Sequence, residues 1–198
     1  MATFTNQATL TYNDITTNSN IVTGEIIEVL SAAKTAVTDQ YSVGDSVTYV
    51  ISIVNTGAAP VSGVSITDDL GAYDFGTDTV TPLTYVNGSV RYFADGVLQA
   101  PPTVSTGNTL TITGITVPAN GNAVIVYETL TNEFAPPTVG STITNTAVIT
   151  GTGIAAPITV EENITAADSA QLSITKALSP STLLSISSTR PSNPCSSA

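Results

Sequence analysis

Apolar and polar positions alternate with a period of two along most of the chain, and helical periodicity is hard to find. Val47, Tyr49, Ile51 and Ile53 alternate with Ser46, Thr48, Val50 and Ser52, as in a strand with one face buried. The turn residues Asn55-Thr56-Gly57-Ala58-Ala59-Pro60 follow, and then Val64 and Ile66 alternate with Ser65 and Thr67. Arg91-Tyr92-Phe93, Ala94-Asp95-Gly96 and Val97-Leu98 read as a hairpin. Leu110, Ile112 and Val124-Ile125-Val126-Tyr127 read as further strands, with a turn at Pro118-Ala119-Asn120-Gly121 between them. Short strands punctuated in this way predict an all-β, immunoglobulin-like β-sandwich with extra flanking strands at both ends.

One repeat sets the domain organisation. Thr3-Phe4-Thr5-Asn6-Gln7-Ala8-Thr9-Leu10-Thr11 matches Thr142-Ile143-Thr144-Asn145-Thr146-Ala147-Val148-Ile149-Thr150, and Leu30-Ser31-Ala32-Ala33-Lys34 matches Leu172-Ser173-Ile174-Thr175-Lys176. A junction of last strand, connector and first strand thus occurs twice, about 140 residues apart, as in a tandem array. A complete domain is expected over 29–151. Residues 1–13 are expected to be an orphan strand resembling the last strand of a preceding domain, with 14–28 a connector strand. Residues 152–169 read as a second connector, 170–180 as the first strand of a following domain, and 181–198 as an irregular tail.

Composition narrows the function. Fifteen acidic residues against 4 basic ones give a net charge of -11, which argues against nucleic acid, whose phosphates demand a basic footprint. No apolar run is long enough to span a membrane as a helix. The N-terminus has neither the basic nor the apolar region of a signal peptide. It reads as a fragment of a longer chain or as a protein exported by a route the sequence does not reveal. A single cysteine, Cys195, and no histidine leave no intrachain disulfide and no Cys/His metal site. Asp68-Asp69, Asp74 and Asp78 crowd one stretch without forming a calcium-loop pattern. No metal and no cofactor are expected.

Strand parity brings three polar residues inward. Lys34 shares its face with Leu30, Ala32 and Ala36, Asp68 with Val64 and Ile66, and Asn145 with Ile143, Ala147 and Ile149. Burying a lysine is costly unless it is paired or neutral. Together the three suit an intramolecular amide bond: a desolvated lysine amine is a nucleophile, an acid can polarise the carboxamide and carry the proton, and ammonia leaves. The competing reading is an unreacted Lys–Asp ion pair hydrogen-bonded to Asn145. Glu128 is the alternative acid, on a face shared with Val126 and Leu130. Asn6 and Lys176 occupy the repeated positions and would be half-sites of neighbouring domains.

The runs Lys34-Thr35-Ala36, Val43-Gly44-Asp45-Ser46-Val47-Thr48-Tyr49, Val54-Asn55-Thr56-Gly57, Val64-Ser65-Ile66-Thr67-Asp68-Asp69-Leu70 and Ile143-Thr144-Asn145-Thr146-Ala147 together resemble the bacterial surface repeat called domain of unknown function 11. That family is close to the isopeptide-forming, collagen-adhesin A-type domains of Gram-positive fimbriae. The resemblance implies a lysine on the first strand, an aspartate on an early strand and an asparagine on the last. These roles fall on Lys34, Asp68 and Asn145; related domains of another type use a glutamate, the role Glu128 would take. The family's usual Asp-x-Leu-Pro is here Asp68-Asp69-Leu70-Gly71.

The expected protein is therefore an extracellular, cell-surface building block of a stalk or fibre, stabilised by a self-made Lys–Asn bond, with neighbouring copies or domains as partners. It is not an enzyme with turnover. The alternative is an adhesin module recognising a host protein or glycan through its loops, with Tyr73-Phe75 and Tyr92-Phe93 as candidate aromatics.

Overall fold

The computed structural model describes residues 2–26 and 28–168, and these are built from strands without helices. The predicted first strand of a following domain, Lys176, Cys195 and the tail lie outside the described residues. In chain order the strands are β1 (Ala2–Asn6), β2 (Thr9–Tyr12), β3 (Ile15–Asn18), β4 (Val22–Ile26), β5 (Leu30–Ala36), β6 (Gln40–Tyr41), β7 (Ser46–Asn55), β8 (Val61–Asp68), β9 (Tyr73–Phe75), β10 (Asp78–Val80), β11 (Leu83–Tyr85), β12 (Arg91–Ala94), β13 (Val97–Leu98), β14 (Thr103–Thr106), β15 (Leu110–Val117), β16 (Asn122–Thr131), β17 (Thr142–Thr150) and β18 (Ile158–Ala166).

Two sheets carry the core. One runs β13-β12-β16-β7-β5, with β11 also pairing β16; the other runs β14-β15-β8-β17-β18-β6. The inward set of β7 is Val47, Tyr49, Ile51 and Ile53, as its alternation predicts, and the facing sheet contributes Val64, Ile66, Leu110, Ile112, Ala147 and Ile149. Burying each large aliphatic side chain contributes about 1.5–3 kcal/mol before chain entropy is charged against it. The hairpin β12–β13 turns through Asp95 and Gly96, both at positive φ, the backbone that a two-residue turn between right-twisted strands requires. In β15 the alternation slips: Ile112 and Ile115 are both buried because the register against β8 shifts between them. Gly114, at φ 86°, lies at this bulge.

Two expectations about the flanks are corrected. The predicted connector 152–169 contains β18, which pairs antiparallel with β17 from Ile158 to Thr165 and parallel with β6 at Thr165 and Ala166. It belongs to the second sheet. Its polar run Glu161-Glu162-Asn163 masks the alternation, but Ile164 and Ala166 are buried. The N-terminal strand is likewise not an orphan. It folds back through Asn13 and Asp14, both in the left-handed region, so that β2 pairs β3 and β1 pairs β4.

The register of this N-terminal hairpin repeats that of β17–β18. Phe4 faces Gly24 and Asn6 faces Val22, just as Ile143 faces Ile164 and Asn145 faces Glu162. The strand repeated in the sequence is thus paired antiparallel with a following strand in both copies. The hairpin keeps its apolar residues in solvent: Phe4 is 55% and Leu10 67% exposed.

Candidate functional site

The sandwich brings Lys34, Asp68 and Asn145 together from three strands. Lys34 lies on β5, an edge strand of the first sheet, opposite Ile51 of β7. Asp68 closes β8 opposite Ala147 of β17, and Asn145 is two residues back along β17 on the same face. Their exposures are 4%, 0% and 0%. Lys34 Nζ donates to Asp68 Oδ2 at 2.6 Å and to the main-chain carbonyl oxygen of Asn145 at 2.9 Å. The amine therefore sits between the acid and the backbone of the residue whose side chain it would attack.

The turn after β8 holds Asp68 in place. Asp68 Oδ1 accepts the Leu70 amide at 2.9 Å. The next side chain, Asp69, accepts the Gly71 amide at 2.8 Å and the Thr146 amide at 2.9 Å, tying the turn to the strand position beside Asn145. Leu70 and Gly71 both have positive φ, 55° and 72°. A proline at 71, as in the family pattern, could not adopt that conformation. Any Cβ there would also lie 2.6 Å from Ile143 Cγ2. With glycine at 71 the turn leaves Asp68 buried.

Two tyrosines that sequence reasoning assigned only to strands complete the site. Tyr49 and Tyr127 are cross-strand partners on β7 and β16, their rings stacked at 5.6 Å and 22°. The Tyr127 hydroxyl donates to Asp68 Oδ2. Lys34 Nζ lies 5.0 Å from the centre of the Tyr49 ring, within range of a cation–π contact. The signal for both was the inward parity of Tyr49 with Ile51 and of Tyr127 with Ile125.

Electrostatics follow burial. Desolvation lowers the Lys34 pKa and outweighs the upward pull of the Asp68 charge and hydrogen bond, and of Asp69 and Glu162. Desolvation likewise pushes both Tyr49 and Tyr127 well above the ordinary phenol value, with the Asp68 charge adding to the rise. The Asn145 carboxamide lies close enough to both phenols to oppose that rise. Yet neither Asn145 Nδ2, Asn145 Oδ1 nor the Tyr49 hydroxyl completes a hydrogen bond among the described residues.

That is costly, since each buried polar group without a partner loses about 1–3 kcal/mol. Asn55 provides the contrast within the same molecule. Also buried, it donates to the carbonyls of Ala59 and Pro118, each at 2.9 Å, and accepts the Gly57 amide at 2.9 Å. Asn55 has the saturated pattern of a structural asparagine; the Asn145 side chain does not.

The remaining sequence candidates lie elsewhere. Glu128 faces away from the core, because Tyr127 and Thr129 take the inward positions of β16, and its carboxylate accepts from the Ser46 hydroxyl. It is not beside Lys34. Asn6 is exposed on β1. Among the described residues no group of three or more His, Cys, Asp or Glu side chains gathers as a metal site. Of the candidate aromatics, Tyr92 is buried and hydrogen-bonds Thr116, whereas Phe75 is 69% exposed beside Phe134 in a shallow groove.

No protein-family model and no curated protein matches the chain. Similar solved structures include a variant of BcpA, the major pilin subunit of Bacillus cereus, with a TM-score of 0.50, 15% identity and coverage of 82% of this chain and 47% of that one. The full-length major pilin SpaD of Corynebacterium diphtheriae gives 0.49 and 14%, over 69% and 35% of the two chains. The pilus backbone RrgB of Streptococcus pneumoniae gives 0.48 and 14%, over 61% and 31%. This chain spans less than half the length of each. The likeness to BcpA is one of fold and agrees with the all-β sandwich described above.

Proposed function

We propose that the protein is a structural unit of a bacterial surface stalk or fibre, locked by an intramolecular amide between Lys34 and Asn145. The observation that carries this reading is a buried lysine amine held between Asp68 and Asn145, beside an asparagine side chain that makes no hydrogen bond among the described residues. The pilin-like fold is in keeping with such a role.

The chemistry balances within the three residues. The Lys34 ammonium passes one proton to Asp68 Oδ2. The neutral amine attacks Asn145 Cγ, forming the new C–N bond and moving the carbonyl π pair onto Oδ1. Asp68 gives its proton to Nδ2 and takes one from the former amine. The C–Nδ2 bond breaks and ammonia departs, leaving a neutral amide and a protonated Asp68. No oxidant, metal or external nucleophile takes part. The fold supplies proximity, worth about 7–11 kcal/mol of barrier in well-oriented reactions.

The purified protein should weigh about 17 Da less than its sequence mass, one ammonia lost through nucleophilic attack by the amine. Asp68→Ala should restore the full mass and retain the all-β circular dichroism spectrum. A wild-type protein at sequence mass would leave the site as an unreacted ion pair.

The partners proposed are neighbouring units of the same kind. The N-terminal hairpin, with Asn6 at the place of Asn145 and the register of β17–β18, reads as the closing strand pair of an adjoining sandwich. A two-stranded hairpin alone is marginal in water, and its exposed apolar face calls for a cover. Light scattering should show concentration-dependent association of the intact chain, abolished by deleting residues 2–13. Intact and deleted chains that are both monomeric at high concentration would contradict head-to-tail joining. The second reading, recognition of a host protein or glycan, rests on the exposed Phe75–Phe134 groove.

A further inference from the structure

We infer that Tyr49 is a catalytic residue of the bond-forming reaction, the hydrogen-bond donor that stabilises the oxyanion developing on Asn145 Oδ1. The inference rests on the amide-bond reading above and adds the group that the Lys–Asp–Asn set lacks. When the amine attacks, negative charge collects on Oδ1 of a residue that is fully buried. Asp68 is engaged in moving protons, with Oδ2 held by Lys34 and Tyr127 and Oδ1 by the Leu70 amide. Lys34 becomes part of the intermediate. A neutral donor aimed at Oδ1 is needed.

The structure offers two phenols, and the hydrogen bonds separate them. The Tyr127 hydroxyl is committed to Asp68 Oδ2. The Tyr49 hydroxyl is fully buried and has no partner among the described residues, and neither atom of the nearby Asn145 carboxamide has one there. A buried hydroxyl and a buried carboxamide that both lack partners would be a defect in a finished structure. Before reaction they are what an oxyanion site calls for, since effective donors are placed for the oxygen of the tetrahedral state and not for the ground-state carbonyl. The Tyr49 ring also flanks Lys34 Nζ at 5.0 Å and stacks on Tyr127 at 5.6 Å, so its hydroxyl is carried by a rigid, packed side chain. Burial keeps the phenol protonated at neutral pH, as a donor must be.

The test is the time course of ammonia loss by intact mass after refolding the full-length chain from denaturant, for wild type and Tyr49→Phe. Phenylalanine keeps the ring and removes only the unpartnered hydroxyl. Tyr49→Phe should form the bond about 10²–10³-fold more slowly, the usual cost of deleting one oxyanion donor. To separate chemistry from folding, Tyr49→Phe is also placed in an Asn145→Ala chain, which cannot react. There its denaturation midpoint should equal or exceed that of Asn145→Ala alone, because an unsatisfied buried hydroxyl has gone. Wild-type rates in Tyr49→Phe would overturn the role of Tyr49 and leave the bond intact. A lowered midpoint in the unreactive background would reassign the hydroxyl to a structural role. Absence of any ammonia loss in wild type would overturn both claims, and that failure is visible before the variant is made.

Discussion

Pulled from its two ends in a single-molecule force experiment, the sandwich should withhold the chain between Lys34 and Asn145 from extension at any force short of covalent rupture. Those residues are 111 apart in sequence, on the first strand of one sheet and a late strand of the other. A chain extends by about 3.3–3.6 Å per residue, so roughly 370–400 Å of contour length would be missing from the unfolding event. Load entering at β5 would pass through the amide to β17 and leave without straining the strands between. Asn145→Ala removes the acyl partner while retaining the Lys34–Asp68 pair, and should restore the missing length in one step. Wild-type molecules that release the full length would contradict a load-bearing bond. The same loop accounts for a thermodynamic effect. Closing a loop of this size stabilises a fold by about 4–5 kcal/mol by restricting the unfolded chain, on the reasoning developed for disulfides. A protein with one cysteine has no intrachain disulfide to supply it.

Much of this arrangement is legible in the sequence, for identifiable reasons. Where one face of a strand is apolar and the other carries Ser or Thr, as in β7, parity fixes which side is buried. Lys34, Asp68 and Asn145 are then visible as polar residues on apolar faces. Glu128 shows the limit of that logic. On β16 both parity sets are largely apolar, with Ala123, Ile125 and Tyr127 on one face and Val124, Val126 and Leu130 on the other, so alternation alone does not name the inner one. The structure turns Tyr127 inward, which excludes Glu128 from the site and brings a phenol to Asp68. Tyr49 alternates with Val47, Ile51 and Ile53 along β7 and is buried with them. Its unpartnered hydroxyl emerges only when every buried donor and acceptor is paired off in three dimensions.

The flanks were harder to read for different reasons. In β18 three consecutive polar residues interrupt the apolar pattern, although β17 and β6 secure the strand from either side. At the N-terminus the repeat revealed a copy of β17 but not of its partner. Ile15–Ile26 and Ile158–Ala166 share little sequence beyond their strand character, and pairing register is a property of two strands at once. The signal available was Asn13-Asp14, two residues tolerant of the left-handed region, which marks the turn of that hairpin.

The covalent claim can be tested where the bond would lie, using the scarcity of basic residues. The chain has only four, Lys34, Arg91, Lys176 and Arg190, and Arg190 precedes Pro191, where trypsin does not cut. An acylated Lys34 is no longer cationic and is not cleaved. After full denaturation and exhaustive trypsin digestion, residues 1–91 and 92–176 should leave as one branched species. Its mass should be about 17 Da below the sum of the two peptides, and fragmentation should place the branch between Lys34 and Asn145. Separate peptides 1–34, 35–91 and 92–176, each at its sequence mass, would contradict the account.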